Sequence, residues 1–197
     1  MQIVIIKYNA GNIQSVLFAI ERIGHKAVVT DDPEQIRKAD KIIFPGVGEA
    51  STAMNYLKER ELDKLIVSLE QPVLGICLGM QLLCSHSEEN DTKCLGVFEN
   101  IAVRKFNPGS NTVKVPQIGW NNIYNLGSGL FKNVSENSFC YFVHGYYAEQ
   151  TGDSIAITNY TVPYSSALQK NNFYGVQFHP EKSAKAGEQI LKNFLSL

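Results

Sequence analysis

The sequence lacks any long apolar run, any marked excess of charge and any pair of cysteines at metal-ligand spacing. No apolar stretch is long enough to cross a bilayer, and the first residues have neither the basic lead nor the apolar length of a signal peptide. With 18 basic and 19 acidic residues, the chain offers no charge excess for nucleic acid or an anionic membrane. We therefore expect a cytoplasmic protein that binds neither.

Cysteine is present at four positions, but no two of them are separated by only two residues. Cys77, Cys84, Cys94 and Cys140 therefore predict neither a zinc site nor a dithiol redox motif. A reducing compartment would keep all four as thiols. We expect no metal and no cofactor.

The first half of the chain alternates apolar runs with helical stripes. Residues 3–6, 27–29, 42–44 and 73–76 predict buried strands, because continuous apolar runs of this length are typical of strands covered on both faces. Stripes of apolar residues and capping residues predict helices between them: one that opens at Gly11-Asn12 and is stopped by Gly24, a brief one with Pro33 at its first position, and others at about 49–60 and 62–69. At 197 residues the chain has the length of one domain, residues 1–197.

The second half of the chain shows strand patterns separated by turns instead of helices. We expect a polar loop at 85–93 and a last helix at about 184–195, with strands at 97–104, 112–115, 122–124, 138–144, 155–159, 166–169 and 174–178. The predicted fold class is α/β: a doubly wound, mostly parallel sheet flanked by helices, with antiparallel strands added in the second half. Ligands of such sheets bind at the carboxyl ends of the strands.

One stretch, residues 72–81, has the form of a nucleophile elbow. Gly75 and Gly79 flank Cys77, as expected for a sharp strand-to-helix turn that holds a nucleophile above a sheet. Glycines at these positions avoid collisions with bulky neighbours. The following helix begins at the sulfur, where free backbone N–H groups favour a thiolate and can bind an oxyanion. Taken alone, this stretch favours a nucleophile, with a small buried hydrophobe as the alternative for Cys77.

A second stretch, residues 175–181, supplies the partners that a cysteine nucleophile needs. His179 lies at the end of a predicted strand, and Glu181 follows two residues later, so both side chains lean to the same side. A histidine can take the proton of a cysteine and return it to a leaving amine, and a carboxylate behind the ring fixes its tautomer. Together the two stretches predict a triad of Cys77, His179 and Glu181.

These two stretches resemble the signature sequences of the class-I glutamine amidotransferases. The similarity extends over nearly the whole chain, and it is greatest to the branch formed by the glutaminase subunits of imidazole glycerol phosphate synthase. Three further segments point to that branch: Pro45-Gly46-Val47-Gly48, the Gly-Trp-Asn of residues 119–121 and the aromatic-rich segment 141–146.

The resemblance implies hydrolysis of glutamine at Cys77, with the ammonia passed to a (βα)8-barrel cyclase subunit. It places an oxyanion site at Leu78 and in the turn 45–48, at Val47 and Gly48. The family positions that contact glutamine correspond to Gly48, Gln81, His144, Gly145 and Tyr146, and those that face the cyclase correspond to Asn12, Trp120, Tyr141 and Lys182.

Two of these positions also have a reason in the sequence itself. Trp120 is the only tryptophan, and we expect it in a loop flanked by proline and glycine, where a large ring is hard to bury. Lys182 directly follows Glu181 and must lie near the site. Both are therefore candidates for a docking surface.

Two residues depart from the family pattern, and three other functions remain open. Gly145 stands where serine or threonine is common, and Lys7 stands where many relatives have aspartate. A glutaminase for another synthase, a stand-alone cysteine hydrolase and a non-catalytic binding module are the alternatives. The binding module is disfavoured because Cys77, His179 and Glu181 are all present.

Overall fold

The backbone follows the alternation of strands and helices that the first half of the sequence predicts. The computed structural model describes residues 1–9, 12–108 and 113–197. In these ranges the strands are β1 (Ile3–Ile6), β2 (Ala27–Thr30), β3 (Lys41–Gly46), β4 (Val73–Cys77), β5 (Cys84–Ser87), β6 (Thr92–Lys93), β7 (Phe98–Lys105), β8 (Gln117–Ile123), β9 (Ser138–His144), β10 (Tyr146–Ala148), β11 (Ser154–Asn159), β12 (Pro163–Lys170) and β13 (Phe173–Val176). The α-helices are α1 (Ile13–Arg22), α2 (Pro33–Lys38), α3 (Ala50–Glu59), α4 (Leu62–Val67), α5 (Leu78–Leu83) and α6 (Ala184–Ser196).

Within the described ranges, eleven strands form one sheet in the order β2-β1-β3-β4-β13-β12-β10-β7-β5-β6, with β11 paired to β12. The five strands from β2 to β13 in this order run parallel. Strands β12, β10, β7 and β11 add antiparallel pairs. The last strand of the chain, β13, lies beside β4, so the carboxyl ends of β3, β4 and β13 meet at one edge. The predicted fold class is confirmed.

Side chains of β1 alternate between two apolar cores, one on each face of the sheet. Ile3 and Ile5 pack in the core with α1 and α6, whereas Val4 and Ile6 pack in the core with α2, α3 and α4. All four are at most 1% exposed. Burial of each such side chain contributes about 1.5–3 kcal/mol, and burial on both faces explains the unbroken apolar run.

The predicted helix boundaries in the first half are also found. Gly24 follows the end of α1 with a positive φ of 88°, and its N–H donates to the carbonyl of Glu21. Pro33 opens α2, and the side chain of Asp32 accepts a hydrogen bond from the N–H of Glu34 at 2.9 Å. The predicted start of α1 at Gly11 lies outside the described residues, whereas Asn12 is the N-cap residue.

Four sequence predictions need correction. The segment 85–93 was expected to be a loop, but it forms β5, a 3-10 turn (Glu89–Asp91) and β6. Its polar, half-exposed residues carry no strand pattern, and β5 is held by pairing with β7 instead. The turn predicted at 45–48 begins only at Val47, because Pro45 and Gly46 belong to β3 and pair with β4. The short strand β10 was not predicted.

The other two corrections concern the region around the single tryptophan. Trp120 was expected in a loop, but it lies on β8, which begins at Gln117 and pairs with β9 in a separate two-stranded sheet. Glycine and asparagine weaken the strand signal of residues 117–122, and cross-strand pairing overrides it. Of the strand predicted at 112–115, residue 112 lies outside the described residues and 113–115 are not in a strand. None of the described helices combines the length and apolar character needed to cross a membrane.

Candidate active site

Cys77 lies at the junction of β4 and α5 in the strained backbone conformation of a nucleophile elbow. Its φ is 54° and its ψ is −110°, and the residue is only 6% exposed. A Cβ at Gly79 would lie 1.8 Å from the carbonyl oxygen of Phe44, and one at Gly75 would lie 2.8 Å from the backbone nitrogen of Met80. Both glycines are therefore required by close packing of β3, β4 and α5, as the motif predicts.

His179 and Glu181 form a buried, hydrogen-bonded pair just beyond the end of β13. The ring Nδ1 of His179 donates to Oε1 of Glu181 at 2.8 Å, and the two residues are 3% and 8% exposed. Burial lowers the pKa of His179, but hydrogen bonds and charge interactions with Cys77 and Glu181 outweigh burial and raise that pKa to about 10. The pair therefore favours an imidazolium ring next to the sulfur.

The carboxylate of Glu181 has a second partner that the sequence did not suggest. Nδ2 of Asn12 donates to the same Oε1 atom at 2.5 Å, from a residue with a left-handed φ of 73°. A guanidinium nitrogen of Arg22 donates to the backbone carbonyl of Glu181 at 3.3 Å. The resemblance assigns Asn12 only to the partner surface, yet this residue contacts the carboxylate of Glu181.

A cavity of about 540 Å³ opens beside Cys77 and His179. Ten of the residues that the sequence assigns to a site line it: Val47, Gly48, Cys77, Leu78, Gln81, His144, Gly145, Tyr146, His179 and Lys182. Glu89, Lys105, Val115, Pro116 and Val143 complete the lining without having been predicted. The predicted oxyanion residues Val47 and Gly48 are adjacent to Cys77 because Gly46, the last residue of β3, pairs with Cys77.

His144 is buried, and both of its ring nitrogens contact the protein. Nδ1 lies 2.6 Å from the carbonyl oxygen of Tyr146, and Nε2 lies 3.2 Å from the hydroxyl of Tyr164. Burial, with a smaller effect from the charge on His179, lowers the pKa of His144 to about 4. The ring is therefore neutral, and its hydrogen-bonding capacity is used internally.

The two departures from the family pattern are accommodated without strain. A Cβ at Gly145 would have its nearest neighbour, the Cβ of Pro116, at 3.9 Å, so a serine could occupy this position. Lys7 is exposed just after β1, and its backbone N–H donates to the carbonyl of Thr30 at 2.9 Å. Neither residue disturbs the elbow.

Of the residues assigned to a partner surface, Trp120 and Tyr141 lie on the two-stranded sheet, and Lys182 lies beside them in the 3-10 turn Pro180–Lys182. Trp120 is 53% exposed, and its ring meets that of Tyr141 edge-on with centroids 5.9 Å apart. The Nζ atom of Lys182 lies 5.9 Å from the centre of the Tyr141 ring. Trp120, Glu181 and Lys182 share the lining of a second cavity, of about 290 Å³.

The other three cysteines are buried away from this cavity. Burial raises the pKa of Cys94 and of Cys140 to about 12 and raises that of Cys84 well above its usual range. None of the four cysteines is in a disulfide. Among the described residues, no group of three or more His, Cys, Asp and Glu is arranged to hold a metal ion.

Comparison with known proteins gives consistent matches over the full chain. The family model "Glutamine amidotransferase class-I" matches residues 4–197. The imidazole glycerol phosphate synthase subunit HisH of Bacteroides fragilis strain YCH46 is 54% identical over 197 residues, covering all of both chains. The subunit of the same name from Yersinia pseudotuberculosis is 44% identical over 199 residues, again covering both chains.

Solved structures show the same fold at low identity. The crystal structure of a glutamine amidotransferase aligns with a TM-score of 0.72 at 16% identity, covering 98% of this chain and 97% of that one. The PurLQS structure from Thermotoga maritima aligns with a TM-score of 0.68 at 15% identity, covering 99% and 97%.

Proposed function

The chain belongs to the class-I glutamine amidotransferases, and from this premise we propose that it is the glutaminase subunit of an imidazole glycerol phosphate synthase. It hydrolyses glutamine to glutamate and ammonia and delivers the ammonia for histidine biosynthesis. The observation that carries the proposal is the hydrogen-bonded His179–Glu181 pair beside Cys77 in one cavity. Identities of 44–54% over the full length of subunits with this role support the choice of branch.

In the proposed reaction, the thiolate of Cys77 attacks the side-chain carbonyl carbon of glutamine. His179 protonates the leaving nitrogen, ammonia departs, and a thioester remains on Cys77. Water then attacks the thioester, His179 takes its proton, and glutamate leaves as the sulfur is released. Glu181, held by Asn12, keeps Nδ1 of His179 protonated, so Nε2 faces the sulfur.

Backbone N–H groups would stabilise the negative oxygen that forms during both attacks. The proposed donors are the N–H of Leu78, at the start of α5, and an N–H in the Val47–Gly48 turn. Gly48 has a φ of 109°, and no atom lies within 4 Å of the point where a Cβ would stand, which leaves its peptide groups free to approach a substrate.

The bound glutamine would be oriented by the residues that line the same cavity. Gln81, Gly145 and Tyr146 surround the space next to Cys77. Because the ring of His144 is occupied by Tyr146 and Tyr164, we propose that this position contributes through its backbone. Gly145 likewise offers only its backbone.

The proposed partner is a (βα)8-barrel cyclase that docks over the two-stranded sheet. Ammonia that escapes to water is protonated and loses its nucleophilicity, so the donor site must face the acceptor. Apolar side chains stand exposed on β8 and β9 beside the site: Ile118, Trp120, Phe139 and Val143. The cyclase would use the ammonia to make imidazole glycerol phosphate and an aminoimidazole carboxamide ribotide. We place the complex in the cytoplasm, where a reducing environment keeps Cys77 free.

The test is glutamate release by the purified chain with and without the barrel cyclase and its ligand. We expect little hydrolysis by the chain alone, strong activation in the complex, and none in the Cys77→Ala complex. A glutamine-analogue electrophile should label Cys77 and spare the three buried cysteines. Full activity of the isolated chain would favour a stand-alone hydrolase, and activation by a different synthase would reassign the branch.

A further inference from the structure

Gln177 contacts the reacting sulfur but has no role in the reaction as described above. It lies just beyond β13, two residues before His179, and is fully buried. Its Nε2 atom lies 3.7 Å from the Sγ of Cys77. What this amide does to the sulfur depends on which end of it faces Cys77, because its N–H group donates whereas its oxygen only accepts.

A neighbouring glutamine fixes that orientation. The Nε2 of Gln81 lies 3.0 Å from the carbonyl oxygen of Tyr146, which can only accept, so the NH2 group of Gln81 must be there. The same NH2 group lies 2.9 Å from Oε1 of Gln177. If Gln177 were turned over, two NH2 groups would face each other. Its carbonyl therefore faces Gln81, and its NH2 group faces the sulfur.

A donor at this place matters because the sulfur is otherwise poorly solvated. Cys77 is almost fully buried, and the carbonyl oxygen of Val143 lies 3.8 Å from its Sγ, where it can accept from a thiol but repels a thiolate. A buried anion is costly unless hydrogen-bond donors surround it. His179 supplies one donor, and Gln177 is placed to supply another.

We propose that Gln177 is a further catalytic residue, which donates an N–H group to the Cys77 thiolate, and that Gln81 positions its amide. This inference rests on the proposed function, because it assigns the means by which the nucleophile is activated. It also gives Gln81 a role in addition to lining the substrate cavity: a chain of amides runs from the Tyr146 carbonyl through Gln81 and Gln177 to the sulfur.

The test compares the reactivity of Cys77 across pH in two methionine variants. Methionine has nearly the length of glutamine but no N–H donor. In Gln177→Met, the inflection of the iodoacetamide alkylation rate of Cys77 should rise by about one pH unit or more, which corresponds to about a tenfold loss of thiolate at low pH. In Gln81→Met, Gln177 remains, but its side-chain amide is free to rotate by 180°. The pH inflection of the alkylation rate should therefore rise by a smaller amount.

The controls separate a chemical role from a structural one. Gln35→Met changes an exposed glutamine on α2 and should keep the wild-type profile. A Cys77→Ala sample corrects for alkylation of the other cysteines. For Gln177→Met, steady-state kinetics in the complex should show a fall in kcat with little change in KM. Coincident alkylation profiles for wild type and a folded Gln177→Met, or no shift in Gln81→Met if Gln177→Met does not fold, would overturn the inference. Glutaminase activity surviving in Cys77→Ala would instead reject the proposed function.

Discussion

At the scale of single residues, the site combines one strained residue with a buried ion-pairing network. Cys77 holds a positive φ of 54°, a conformation that costs about 1–3 kcal/mol in a residue other than glycine and persists only where the surroundings enforce it. Beside it, the buried side chains of His179 and Glu181 share a hydrogen bond. The strain and the buried charges lie where the proposed chemistry occurs.

The two partners of Cys77 should differ in importance when they are replaced. His179→Asn removes the group that moves protons, so kcat should fall by about a thousandfold or more, whereas Glu181→Gln removes only orientation and charge and should cost less. Steady-state glutamate release from the complex measures both. Lys185→Gln, an exposed change on the nearby α6, serves as a control. Wild-type activity in both triad variants would contradict the assigned roles.

His144 should make the protein sensitive to acid. Its pKa is lowered to about 4 in the folded state, mainly by burial, against about 6.5 when unfolded, so the unfolded state binds the proton more tightly. The contribution of neutral His144 to the free energy of unfolding is fully present above pH 6.5. It is lost as the pH falls from 6.5 towards 4, by up to about 3 kcal/mol. Urea unfolding of wild type and His144→Gln between pH 7 and pH 5 tests this. If the free energy of unfolding changed with pH equally in wild type and His144→Gln, the prediction would be contradicted.

At the scale of elements, the contact of α5 with β3 sets the position of the proposed nucleophile, Cys77. Helix α5 has six residues, and all of them are buried. Because Gly79 lies against the Phe44 carbonyl, the helix approaches the strand more closely than any side chain would permit. A short helix, held on all sides, keeps the elbow rigid without relying on intrinsic helix stability.

Replacing Gly79 should therefore damage both stability and activity. In Gly79→Ala the new methyl group would collide with the backbone of β3, which cannot rotate away, so we expect a loss of about 3 kcal/mol or more. Gly152→Ala is the matched control, since no atom lies within 4 Å of the added methyl group and its φ is not positive. Urea unfolding and glutamate release report the two effects. A Gly79→Ala protein as stable as Gly152→Ala would show that α5 can move aside.

At the scale of the whole molecule, the parallel half of the sheet positions the proposed triad, and the two-stranded sheet carries a group of exposed apolar side chains. The two meet at Tyr141, whose backbone carbonyl accepts from the N–H of His179 at 2.9 Å. The exposed ring of Trp120 packs on the same tyrosine. A partner that presses on Trp120 would thus contact a strand bonded directly to the proposed general base, which is a physical route for activation on docking.

Truncation of Trp120 should uncouple the two proposed subunits without affecting the cyclase chemistry. Trp120→Ala should weaken the complex about 30-fold, the equivalent of about 2 kcal/mol for an interface hot spot. Glutamine-dependent synthesis should fall, whereas synthesis driven by added ammonium salt should persist. Val67→Ala, which alters an exposed apolar residue on α4, is the control. Unchanged affinity in Trp120→Ala would remove β8 from the docking surface.

The sequence by itself determined the parallel half of the fold, and it predicted the proposed triad from two short motifs. Strands β1 and β3 are buried on both faces, so their local composition is enough to identify them. The elbow and the His179–Glu181 pair are equally local. Gly75 and Gly79 lie two residues on either side of Cys77, and Glu181 lies two residues after His179. Each motif can therefore be identified from its own residues, and the two motifs together predict the triad.

The tertiary structure alone decided the features that depend on distant contacts. Strand β5 exists because it pairs with β7, and Trp120 lies in a strand because β9 pairs with β8. Asn12 reaches Glu181 across 169 positions of sequence, and Gln177 reaches Cys77 across 100. Hydrogen bonds between remote side chains leave no periodic pattern in a sequence. The roles of such polar residues are therefore visible only after folding has brought their partners together.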